Sequence, residues 1–146
     1  MDPLSITMAA IGITDAAVTG LSALRSKIHD LQDAPEDVSN VRTRLEEVQS
    51  SLQALKSVTV ADQATQTTCT EVLRTTGVAT AVNDCGRACE AFNKKLQSWT
   101  KHSTEDRMSF RDRVSIARNK AKIGTLLTRV ETCQKTVHFA VSSTQL

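Results

Sequence analysis

Apolar side chains recur along this 146-residue chain at alternating steps of three and four residues, the spacing that puts them on one face of an α-helix. Four segments carry such a stripe, and the stripe that follows Pro35 keeps the spacing without a fault. The stripes are Leu21, Leu24, Ile28 and Leu31; Val38, Val41, Leu45, Val48, Leu52 and Leu55; Val82, Cys85, Cys89, Phe92, Leu96 and Trp99; and Ile123, Leu126, Val130, Cys133, Val137 and Ala140. We therefore predict an all-α fold, an antiparallel bundle of four main helices with the stripes facing inward.

Caps, prolines and glycines predict where these helices begin and end. Helix 1 is predicted over residues 1–33, with Pro3 in its first turn. The third helix has a candidate break near Gly77, and the fourth is predicted to open at Ser109, whose hydroxyl suits an N-cap. A chain of this length has no room for a second full domain, so we predict a single domain over residues 1–146.

The composition excludes several classes of protein. Aromatic residues make up 3% of the chain, with two prolines and five glycines, too few for a many-stranded sheet. The start of the chain lacks the basic region of a signal peptide, so its four cysteines are predicted to be free thiols in a reducing compartment. Cys85 and Cys89 share a helical face, but both lie on an apolar stripe, which favours buried structural thiols over a metal site. No catalytic or phosphate-binding motif occurs, so we predict neither an enzyme nor a cofactor.

Residues 4–24 differ from the other segments because their only charge is Asp15. As a helix they would be about 31 Å long, close to the roughly 30 Å hydrocarbon core of a bilayer. Gly12, Ala16 and Gly20 fall four apart, a spacing that lets membrane helices approach closely. The residues alone favour a buried helix that stays buried; the other interpretation is a helix that inserts once neighbouring copies shield its charge. Candidate residues for insertion and oligomerisation are Leu4, Met8, Ile11, Gly12, Asp15, Ala16, Gly20 and Leu24.

Positive charge is concentrated in residues 94–122, which hold nine basic and three acidic residues, a net +6. Such a cluster is usually a solvated surface, but it could also rest on anionic headgroups, where each Lys or Arg adds about 1 kcal/mol. Nucleic acid is a less favoured partner because aromatic residues and recognition motifs are lacking. Candidate contacts with anionic lipid are Lys94, Lys95, Lys101, Arg107, Arg111, Arg113 and Arg118.

Two stretches go beyond periodicity, the opening MDPLSITMAAIGITDAA and, over residues 85–114, CGRACEAFNKKLQSWTKHSTEDRMSFRDRV. Together they resemble the HeLo-like N-terminal domain of fungal STAND (NLR-type) receptors, and the resemblance covers essentially the whole chain. It implies a helical-bundle effector domain similar to the HeLo domain of heterokaryon incompatibility and to the helical executioner domain of necroptosis. The family's glycine-zipper-like element would fall on Gly12, Ala16 and Gly20.

The resemblance implies a function in innate immunity and regulated cell death. The bundle would rest in the cytoplasm and, on oligomerisation, target and permeabilise the plasma membrane through its released N-terminal helix. Its partners would be anionic lipids, other copies of itself, and the NTP-binding and repeat modules of a parent receptor. The alternative is a non-lytic helical oligomerisation or adaptor module that recruits partner proteins.

Overall fold

The computed structural model describes residues 11–31, 34–59, 71, 73–103 and 108–143, with the backbone alone over residues 56–59. Helices account for most of these residues and no strand occurs among them, so the predicted all-α class is confirmed. The helices are α1 (Asp15–Asp30), α2 (Glu36–Thr59), α3 (Val78–Trp99), α4 (Phe110–Arg118) and α5 (Lys120–Ser143).

The start of α1 differs from the prediction. Residues 11–14 are not helical, so the expectation of one helix running through residues 4–24 is wrong over this part. Gly12 has φ 95°, a backbone conformation that breaks a helix, and the Thr14 hydroxyl then accepts a hydrogen bond from the Ala17 amide at 3.1 Å. Asp15 follows in the first turn, where the helix dipole favours a negative charge.

The predicted break in the third helix is present at Gly77. Gly77 has φ 76° and lies directly before α3, while Thr76 turns back to the Leu73 carbonyl through a backbone hydrogen bond of 3.2 Å. Glycine suits this position because a left-handed backbone carries little penalty without a Cβ atom.

A further break divides the predicted fourth helix into α4 and α5 at Asn119. The Ser109 hydroxyl accepts from the Asp112 amide at 3.1 Å, which confirms the predicted N-cap of α4. The side chain of Asn119 then donates to the Ser115 carbonyl at 2.7 Å, while its own carbonyl accepts from the Ile123 amide at 3.2 Å. One asparagine thus completes the end of α4 and the start of α5, which sequence periodicity did not indicate.

The apolar stripes build the core. Every stripe residue of α2, from Val38 to Leu55, is at most 5% exposed, and the stripes of α3 and α5 are buried apart from Trp99, which is half-buried. Full burial of one such aliphatic side chain contributes about 1.5–3 kcal/mol. These contacts are therefore the main favourable term in folding.

The four long helices meet in a closed sequence of contacts. Helix α1 packs against α2 and α3, and α5 also packs against α2 and α3, while α4 touches α3 near the turn that joins them. Polar contacts accompany the packing: Gln49 on α2 donates to Ser22 on α1 at 2.8 Å. The Nε atom of Arg44 on α2 lies 3.5 Å from the Oε1 atom of Glu131 on α5.

Candidate functional site

Buried Asp112 fixes the turn between α3 and α4. Its side chain, on a residue only 1% exposed, accepts hydrogen bonds from the His102 amide at 3.0 Å and from the Ser103 hydroxyl. The Ser103 hydroxyl oxygen in turn accepts from the Ser109 amide at 3.1 Å. A buried carboxylate that accepts from a backbone amide and a hydroxyl is a strong constraint, because each donor left unpaired would be costly. His102 and Ser103 are thereby held against the first residues of α4.

An exposed phenylalanine lies on this arrangement among basic side chains. Phe110, the first residue of α4, is 81% exposed, so its ring lies outside the core. It lines a shallow groove of about 510 Å³ together with Lys101, Arg111 and Arg118. We call Lys101, Phe110, Arg111 and Arg118 the basic surface.

The predicted group of basic residues is divided by the fold. Lys101, Arg111 and Arg118 meet at the basic surface, and Lys94 and Arg113 are also exposed. Lys95 instead lines a second groove, between α3 and α5, together with Lys122 and Arg129. This second groove shares no lining residue with the groove beside Phe110. Arg107 lies outside the described residues.

The predicted insertion residues are separated in the folded domain. Leu4 and Met8 lie outside the described residues. Ile11 and Leu24 are buried, at 3% and 0% exposure, whereas Asp15 and Ala16 are exposed. Because Gly12 precedes the helix, the expectation that Gly12, Ala16 and Gly20 line one helical face is wrong for Gly12, whereas Ala16 and Gly20 lie within α1.

Two glycines bring α1 and α3 into backbone contact. A Cβ atom on Gly20 would lie 2.8 Å from the Gly86 carbonyl oxygen, and a Cβ atom on Gly86 would lie 2.7 Å from the Ala17 Cβ atom. Both distances are shorter than non-bonded carbon contacts allow. Gly20, predicted to support packing between copies, therefore supports packing within one molecule.

Asn83 of α3 clamps the segment that enters α1. Its side-chain amide donates to the Gly12 carbonyl at 3.0 Å, and its side-chain oxygen accepts from the Thr14 amide at 3.0 Å. One side chain thereby satisfies two backbone groups just before α1, across more than 65 residues of sequence.

Three free thiols lie on the neighbouring helices α3 and α5. Cys85, Cys89 and Cys133 are all buried, which supports the prediction that Cys85 and Cys89 are buried thiols. Hydrogen bonds from Cys133 and Cys89, with the nearby charge of Arg129, hold the pKa of the Cys85 thiol well below its usual range. The hydrogen bond to Cys85 and burial raise the pKa of Cys89, and the same two causes raise that of Cys133. A groove of about 590 Å³ is lined by Cys85 and Cys133.

Sequence reasoning missed Phe110 and Asn83. Phe110 carries a local signal, because it stands beside the Ser109 cap and is two positions before buried Asp112, which puts it off the inward face of α4. Asn83 carries none, since its partners are distant in sequence.

The described part of the chain holds neither a metal-binding cluster nor a membrane-spanning helix. No group of three or more His, Cys, Asp or Glu side chains there is arranged to hold a metal ion. None of the helices described is both long enough and apolar enough to cross a membrane.

The fold and the surface together define a small all-helical domain with a basic, partly apolar end. The chain belongs to the family described as "Pigment biosynthesis cluster protein PigL N-terminal", whose model matches residues 1–146. No curated protein and no solved structure matches the chain.

Proposed function

We propose that this domain is the HeLo-like N-terminal effector domain of a fungal NLR-type receptor, and that it acts in regulated cell death by oligomerising on and permeabilising an anionic membrane. In this proposal the domain is an antiparallel four-helix bundle that rests in the cytoplasm and moves to the plasma membrane on activation. The observation that carries the proposal is Phe110, 81% exposed among Lys101, Arg111 and Arg118. The family description, which concerns an N-terminal region, agrees with a domain that precedes other modules.

The basic surface has the composition of a membrane-docking site. Each Lys or Arg near an anionic leaflet contributes about 1 kcal/mol, so three such side chains give about 3 kcal/mol at low salt. Phe110 can add apolar contact at the level of the headgroups, because its ring is already outside the core. Asp112 holds the turn and α4 in place, so these side chains keep their relative positions on docking.

Permeabilisation additionally requires α1 to leave the bundle. Its release uncovers the core residues Leu21, Leu24 and Ile28 together with Gly20, so the free energy must come from lipid contact and from contacts between copies. Once released, Ala16 and Gly20 are one helical turn apart on a single face, where they can pack against another α1. The Gly20–Gly86 contact would thereby be exchanged for a contact between molecules.

Vesicle binding tests the docking step. We expect the protein to sediment with vesicles of phosphatidylserine and phosphatidylcholine, and not with phosphatidylcholine alone. Arg111→Glu changes the charge by two units and should weaken this binding by about 2 kcal/mol, roughly thirtyfold, at about 1 kcal/mol for each unit of charge. Lys135→Glu is the matched control, because Lys135 is also an exposed cation. It lies on α5, about 22 Å from the first residue of that helix and far from the basic surface. Equal effects of the two charge reversals would contradict docking by the basic surface.

Dye release from the same vesicles tests the α1 step. Ala16→Leu should reduce leakage without reducing binding, because a large side chain beside Gly20 blocks close packing of released helices. Ala121→Leu is the control, an exposed alanine at the same second position of α5. Binding without any leakage from the wild type would remove permeabilisation from the proposal.

The second candidate is a non-lytic oligomerisation or adaptor module. It is favoured by the packing of α1, whose Gly20 meets Gly86 backbone to backbone and whose Leu24 is 0% exposed. In this case α1 stays in the bundle, and self-association would proceed on vesicles or in solution with no release of dye.

A further inference from the structure

The three thiols between α3 and α5 take no part in the basic surface or in the packing of α1 against α3 through Gly20. Cys85 and Cys89 lie on consecutive turns of α3, and Cys133 comes from α5, so the cluster joins two helices. Cys85 and Cys133 line one groove, and the interaction with Cys133, followed by that with Cys89, is the main cause that lowers the pKa of the Cys85 thiol. All three are free and buried, and the reactivity of such thiols depends on their surroundings.

Access distinguishes the three thiols from one another. The groove of about 590 Å³ between α3 and α5 is lined by Cys85 and Cys133, and Cys89 is not among its lining residues. Arg129 lines the same groove, and its positive charge favours a thiolate at Cys85. The lining of the groove also includes the small side chains of Ala81, Ala88 and Ala91.

We propose that Cys85 is a site of oxidation by a peroxide and that Cys133 is its resolving partner, so that oxidation joins α3 to α5 by a disulfide. The Cys85 thiolate attacks one peroxide oxygen, the O–O bond breaks, and hydroxide leaves, which gives a sulfenic acid at Cys85. The Cys133 sulfur then attacks the Cys85 sulfur, the S–O bond breaks, and the hydroxyl group leaves as water with the Cys133 proton. In sum, two thiols and one hydrogen peroxide give one disulfide and two waters.

The geometry selects Cys133 over Cys89 as the resolving partner. Both thiols act on the pKa of Cys85, but only Cys133 lines the same groove as Cys85, through which peroxide would enter and water would leave. Cys89 does not line this groove, and a bridge between Cys85 and Cys89 within one helix would not connect α3 to any other element. A bridge to Cys133 restrains two helices that are far apart in sequence.

The chain allows a direct test, because trypsin places its four cysteines on four different peptides. Cleavage after Arg and Lys puts Cys69 in residues 57–74, Cys85 in 75–87, Cys89 in 88–94 and Cys133 in 130–135. The intact chain is treated with hydrogen peroxide, its remaining thiols are blocked with N-ethylmaleimide, and it is digested without reduction. Mass spectrometry should find peptide 75–87 joined to peptide 130–135, and dithiothreitol should separate them.

Variants and rates then test each role. In Cys133→Ser, dimedone should label a sulfenic acid on Cys85, and in Cys85→Ser both the bridge and the dimedone label should be absent. Cys89→Ser is the matched control and should retain the bridge. In the wild type, free Cys85 should disappear at least about tenfold faster than free Cys89. This comparison does not depend on the folding of any variant. A bridge through Cys69 or Cys89, or equal loss of all thiols, would overturn the proposal.

Discussion

Gly20 of α1 and Gly86 of α3 meet backbone to backbone, so that a Cβ atom on Gly20 would lie 2.8 Å from the Gly86 carbonyl oxygen. The contact continues at Ala17, whose Cβ atom would lie 2.7 Å from a Cβ atom on Gly86. Helices approach this closely only where side chains are minimal. The small residues of α1 thus serve its packing against α3 within one molecule.

Gly86→Ala should destabilise the domain by about 1–3 kcal/mol, because the added methyl group meets the backbone and side chain of Ala17 and forces the helices apart. The control is Gly124→Ala in α5, where a Cβ atom has nothing within 4 Å. That change should stabilise the helix by about 0.5–1 kcal/mol. Urea unfolding measures both, and a shift of the same sign in the two variants would contradict close packing at Gly86.

Asn83→Ala should loosen the entry to α1 without opening the core. The variant loses the hydrogen bonds to the Gly12 carbonyl and from the Thr14 amide, each worth about 0.5–1.5 kcal/mol. Hydrogen exchange at the Thr14 amide should become about tenfold faster, while exchange in α2 is unchanged. Asn40→Ala, at an exposed position of α2, serves as the control. Unchanged exchange at Thr14 would show that Asn83 does not hold this segment.

The fold was predictable wherever local pattern decides it. The stripe of α2 is buried at each of its positions, because a helix with apolar residues along one face packs that face against the core. Ser109 caps α4 as predicted, since capping depends on residues three apart. The helix break at Gly77 could be predicted, whereas the break at Gly12 could not, because the apolar residues around Gly12 suit a helix equally well.

The candidate site was predictable only in part, because its geometry depends on contacts between distant residues. The charge of residues 94–122 indicated a basic region, but only the fold separates Lys95 from Arg111. The spacing of Gly12, Ala16 and Gly20 suggested one surface, yet Gly20 pairs with Gly86, a residue 66 positions away. The spacing of residues within α1 does not indicate which helix will pack against it.

Asp112→Ala should destabilise the turn between α3 and α4 by about 1–3 kcal/mol, because the His102 amide and the Ser103 hydroxyl lose their buried acceptor. Asp84→Ala is the matched control, since Asp84 is exposed and its ion pair with Arg87 lies in solvent. Its effect should stay within about 0.5 kcal/mol. Urea unfolding of both variants checks the difference, and equal stability would show that the buried carboxylate is dispensable.

Phe110→Ser should leave stability nearly unchanged and weaken binding to anionic vesicles. The ring is 81% exposed, so its removal takes little from the core. Apolar burial of an aromatic side chain is worth about 1.5–3 kcal/mol, and partial burial among headgroups should therefore account for roughly a tenfold change in vesicle affinity. Phe139→Ser is the control, because Phe139 is 60% exposed but lies near the end of α5, away from the basic surface. Sedimentation with vesicles of equal composition compares the two, and an equal loss in both variants would mean that exposed aromatic rings act without regard to the surrounding charge.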